Sequence, residues 1–115
     1  MNKKTILALF LSSLTSVSNA ALFDVPLAKK CYLIYERLIV IGDTQILDKC
    51  REKLQYATFQ TEEAALAIAN DQYSAIYNID YAIQALRHAQ VYSCEKEDEI
   101  VEVEKNLTSI KNQLE

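Results

Sequence analysis

Glycine and proline occur once each in this chain, at Gly42 and Pro26. Strand-rich folds of this size turn the chain many times and use these two residues to do it, so their scarcity points to a few long helices joined by short links. A length of 115 residues is room for one domain. No internal repeat, linker or low-complexity tail divides it.

The first twenty residues read as a leader that is removed. Met1 to Lys4 is short and basic, Thr5 to Val17 is apolar, and Ser18, Asn19 and Ala20 place small residues at the positions preceding cleavage before Ala21. A membrane anchor would need about 20 uninterrupted apolar residues, and Ser12, Ser13, Thr15 and Ser16 break the run too early. The first cysteine is Cys31, too far along to receive a lipid at the new N-terminus. The expected mature protein is therefore a single domain, residues 21–115, in the bacterial periplasm or outside the cell, without stable membrane insertion after cleavage.

Without Lys3 and Lys4, ten basic residues face 16 acidic ones, a net charge of about −6. Nucleic acid and anionic lipid are poor partners for such a chain, since phosphate binding requires a basic stripe. A basic protein partner is compatible with it, although negative charge also serves simply to keep an exported domain soluble.

Hydrophobic periodicity then marks out an all-α fold, a small antiparallel bundle of about four helices. Asp24 stands as N-cap with Pro26 in the first turn, and Leu27, Cys31, Ile34, Leu38 and Ile41 form one apolar face. Gly42 supplies a left-handed residue to end that helix. A second helix begins near Gln45 and buries Leu47, Cys50, Leu54 and Ala57. It ends either near Phe59 or, as the stronger punctuation suggests, at Asn70 and Asp71.

The central helix, Gln72 to Tyr92, carries two apolar faces. Stepping about 100° per residue gathers Ile76, Ile79, Ile83 and Leu86 on one side. Tyr73, Tyr77, Tyr81, His88 and Tyr92 gather about 150° away, with Ala75, Ala82, Ala85 and Ala89 between and Asp80 and Arg87 as a narrow polar strip. Such a helix is covered on most of its circumference, either wholly inside the bundle or partly by a partner. Ser93 caps the last helix, whose acidic start, Glu95, Glu97, Asp98 and Glu99, suits the helix dipole and can steer a basic partner. Ile100, Val103, Leu107, Ile110 and Leu114 then make a coiled-coil-like seam that packs on the central helix or pairs with another copy.

Three cysteines allow one internal bridge. Measured from a hairpin pivot at Gly42, Cys31 and Cys50 differ in height by about 4–5 Å and both point inward, so they are the expected pair and Cys94 the free thiol.

Catalytic constellations are missing from the sequence. There is one histidine, His88, with no glycine-rich phosphate loop, no HExxH, GxSxG or CxxC, and no recognised metal-ligand spacing. No cofactor is expected, nor a metal, nor enzymatic activity. The expectation is an exported protein-binding module, an adaptor, assembly factor or inhibitor of immunity type, with Tyr73, Tyr77, Tyr81, His88 and Tyr92 in contact with the partner. A structural homodimer through the C-terminal seam, and a small secreted effector, are the alternatives.

Overall fold

The computed structural model describes residues 24–115. The predicted leader and its cleavage point lie outside them. Four helices follow one another, α1 (Pro26–Asp43), α2 (Asp48–Ala69), α3 (Ala75–Val91) and α4 (Glu97–Leu114). Each packs on its neighbour in sequence, and α4 also closes onto α1; among the described residues α1 does not pack on α3, nor α2 on α4. The result is a four-helix bundle around one apolar core. No helix in this region is long and apolar enough to cross a membrane.

The core follows the predicted periodicity closely. Cys31, Ile34, Leu38 and Ile41 of α1, Cys50, Leu54 and Ala57 of α2, Ile79, Ile83 and Leu86 of α3, and Ile100, Val103, Leu107 and Ile110 of α4 are all buried. Of the other predicted positions Leu27, Ile76 and Leu114 are half-buried, and Leu47 is exposed, because α2 starts at Asp48 and leaves it in the link before the helix. The second helix ends at Ala69, at the Asn70–Asp71 break.

Helix ends differ from the sequence expectations in an instructive way. Asp24 makes no capping bond; Val25 occupies the N-cap of α1 in extended conformation, and Pro26 needs no partner for a backbone N–H that it lacks. Gly42 stays helical, with no positive φ, and a Cβ added there would meet Leu54 Cβ at an ordinary 3.6 Å. The turn is made instead by Thr44, whose hydroxyl donates to the Ile41 carbonyl at 2.7 Å. Ser93 does not cap α4. It is left-handed, at φ 56°, and its N–H donates to Gln90 O while that of Cys94 reaches Ala89 O, which is a Schellman closure of α3. Asp71, at φ 53°, closes α2 in the same way.

The disulfide joins Cys50 to Cys94, with Cα atoms 5.6 Å apart, so the predicted Cys31–Cys50 pairing is overturned. Cys31 is the free, buried thiol. The reason is the connection between α1 and α2. Residues 44–47 lie outside both helices, so Cys50 lies only about 3 Å up α2, while Cys31 lies about 18 Å back along α1. At that height Cys31 Sγ meets the backbone carbonyl of Thr61, 3.5 Å away. Cys50 is left facing the α3–α4 link at its own end of the bundle.

That link is also held by Gln45. Its amide donates to Glu95 O at 2.8 Å and Ile41 O at 3.1 Å, and its carbonyl accepts the Glu95 N–H at 2.8 Å. Gln45 is therefore a buried bracket between the two loops at one end of the bundle, which explains why a residue expected to start α2 is kept out of the helix.

Candidate functional site

Helix α3 buries two of its four sectors and turns a third, polar and partly exposed, towards α4. Ile79, Ile83 and Leu86 point to the core, with Ile76 half-buried beside them. Ala75, Ala82, Ala85 and Ala89 are buried in the next sector, where small side chains let α2 come close and Asn78 Nδ2 donates to Gln60 Oε1 at 2.9 Å. The polar strip turns to α4. Asp80 pairs with Lys111 at 2.7 Å, and Arg87 with Glu104 at 2.8 Å, the same carboxylate receiving Gln90 Nε2 at 2.6 Å. Lys111, though solvent-accessible, is raised above its ordinary pKa mainly by the hydrogen bond it donates to Asp80.

The fourth sector is left in solvent and continues past both ends of α3, which is shorter than the expected Gln72–Tyr92: Tyr73 precedes the helix and Tyr92 is its C-cap. Tyr73, Tyr77, Tyr81 and Tyr92 are 80%, 60%, 48% and 38% exposed, and His88 among them is exposed as well. The rings are not independent of their surroundings. Tyr73 and Tyr77 lie with centroids 6.5 Å apart, and Lys49 Nζ of α2 sits 5.2 Å from the Tyr92 ring, a cation–π contact that orients it.

One residue of this surface on α2 was not among those picked from the sequence: Tyr56 is exposed. Lys49 and Gln60 both touch α3, through Tyr92 and Asn78, and Lys53 and Tyr56 lie between them at helical spacing. The tyrosine row is thus one edge of a surface shared by two helices. The signal was legible, since Tyr56 falls off the face defined by Cys50, Leu54 and Ala57.

The acidic start of α4 is divided. Glu95, Glu97 and Asp98 are exposed, whereas Glu99 lies between Arg37, at 3.6 Å, and Lys96, at 3.5 Å. Arg37 also binds Glu102 at 2.6 Å, so this carboxylate cluster is partly spent on fixing α1 to α4. The seam of α4 is internal: Ile100, Val103, Leu107 and Ile110 are buried against the bundle, Leu114 half-buried, and no apolar stripe remains there to pair with another copy. Cys94, expected as a free thiol, is closed in the disulfide. Among the described residues no three His, Cys, Asp or Glu side chains converge as metal ligands would. No family model matches the chain, and neither a curated protein nor a solved structure gives a match.

Proposed function

We propose that this is an exported, non-catalytic helical module that binds another protein through the α3 surface formed by Tyr73, Tyr77, Tyr81, His88 and Tyr92. Its leader is removed before Ala21, and its helices alternate in direction as the short connections between them require. The observation that carries this reading is the exposure of Tyr77 and Tyr81 on α3, extended by Tyr73 just before the helix and Tyr92 at its C-cap, with the opposite sectors packed into the core and against α2. Tyrosine offers a large contact area with little rotamer entropy to lose and a polar tip for orientation, which suits it to surfaces that are wet when free and buried when bound. A disulfide inside the domain supports an oxidising compartment, in agreement with the leader. The net negative charge and the exposed Glu95, Glu97 and Asp98 favour a partner with a basic surface.

The test is site-specific photocrosslinking in cells, with the reactive group at Tyr77 or, as a control, at the exposed Asn112 of α4. A single adduct from Tyr77 and none from Asn112 is the expected result, from a mature protein whose intact mass begins at Ala21. With that partner purified, Tyr77→Ala or Tyr81→Ala costs roughly 2 kcal/mol, about thirtyfold in Kd. Equal crosslinking from both positions, or unchanged affinity in both variants, removes the row from the interface.

A further inference from the structure

On the side of α2 that faces α1 lies an elongated groove of about 450 Å³, separate from the tyrosine row. Its apolar walls are Tyr35 and Ile39 from α1 and Phe59 from α2, and Gln55 and Thr58 of α2 also line it. Phe59 is 55% exposed and Ile39 39%, so the groove presents apolar area to an incoming side chain. Its charged groups are Asp43 at one end, Glu62 at the other, and Arg51.

Arg51 does not offset the two acids. Its guanidinium donates to the carbonyls of Gln45 at 3.2 Å and Ile46 at 3.0 Å and pairs with Asp48, so it is consumed in holding the α1–α2 link. Asp43 and Glu62 form no ion pair with any basic side chain among the described residues. Glu62 lies beside Tyr35, whose phenol is held above its ordinary pKa by burial and then by that carboxylate. Tyr35 and Asp43 are eight residues apart on α1, a rise of about 12 Å along the helix, so Asp43 and the Glu62 beside Tyr35 stand towards opposite ends of the groove.

We infer that this groove receives a linear segment of a partner protein carrying two basic side chains about 12 Å apart, roughly four residues in an extended chain, with an apolar side chain between them. The apolar side chain lies on Ile39 and Phe59. The aliphatic stems of the basic residues follow the aromatic walls, and their heads reach Asp43 at one end and Glu62, over the Tyr35 ring, at the other. This second contact is independent of the tyrosine row, which lies beyond the opposite edge of α2.

The probe is the capped peptide Lys-Ala-Leu-Ala-Lys, titrated into the isotopically labelled, disulfide-bonded protein and followed by amide chemical shifts. Saturable shifts centred on Tyr35, Ile39 and Phe59 are expected, weakening at high salt and by about fivefold in each of Asp43→Asn and Glu62→Gln. Both substitutions are at accessible positions, and wild-type shift mapping reads the site without them. The charge-reversed peptide Glu-Ala-Leu-Ala-Glu should not bind, and spermidine, with cations but no apolar side chain, should bind more weakly than the lysine peptide. The inference is overturned if the acidic peptide binds equally, if spermidine matches the lysine peptide, if millimolar lysine peptide gives no saturable shift, or if the shifts fall on α3. That last outcome leaves the tyrosine row standing, and failure of the crosslinking test leaves the groove standing.

Discussion

Cys31 shows how much a single buried group fixes. Its thiol is sealed beneath α2, and burial pushes its pKa from 9.0 up to about 12. The proton is therefore held more tightly in the folded chain than in the unfolded one. Stability from this group is complete below pH 9.0 and falls as pH rises toward the folded value, because only the unfolded thiol ionises in that window. The slope is about 1.4 kcal/mol per pH unit. Urea unfolding of the wild type and of Cys31→Ala between pH 8 and 10 should show the difference in stability flat below pH 9.0 and shrinking above it. A difference that is constant across the range means that Cys31 ionises as readily folded as unfolded. The same burial makes the native thiol inert to aromatic disulfide reagents until the chain unfolds.

At the scale of the helices, the turns hold more strain than the core. Asp71 and Ser93 close α2 and α3 in left-handed conformation, where glycine is the usual occupant, and side chains there cost roughly 1 kcal/mol. Ser93→Gly should therefore raise stability by about 1 kcal/mol, shifting the melting midpoint up by about 4–8 °C. An unchanged or lower midpoint would mean that the serine hydroxyl offsets the strain. These closures also mark where the sequence was legible and where it was not. Positions such as Leu38, Ile79 and Leu107 announced themselves by period, because burial along a helix repeats every three or four residues. Ser93 and Asp71 resemble N-caps by type, and nothing local separates a serine opening α4 from one closing α3. The disulfide was illegible for a related reason. Its geometry depends on Thr44 to Leu47 staying outside the helices, where Gln45 hydrogen-bonds Glu95, a contact between loops far apart in sequence. The tyrosine row fell between the two cases, since its periodicity was plain but its exposure depended on which sectors of α3 the other helices occupy.

The whole molecule is fastened at one end. Cys50–Cys94 and the Gln45 bracket tie the α1–α2 and α3–α4 links together, whereas the α2–α3 turn at Asp71, with Tyr73 beside it, stands at the other end without a staple. Closing a loop of 44 residues removes enough freedom from the unfolded chain to stabilise the fold by about 4 kcal/mol, a large share of what a domain of this size possesses. Helix α4 depends on that staple most, because it makes the least contact with the rest of the bundle and its position rests on one apolar seam and the ion pairs of Arg37, Arg87 and Lys111. In Cys50→Ser/Cys94→Ser, amide exchange should accelerate first and furthest along Ile100 to Ile110, with α1, α2 and α3 retaining protection at denaturant levels where α4 has lost it. Uniform acceleration across all four helices would instead mean that the staple acts on the unfolded chain alone and that the bundle opens as one unit. In the first case the tyrosine surface, built on α2 and α3, outlives the loss of α4, and partner capture by the double variant persists at concentrations where α4 is already open.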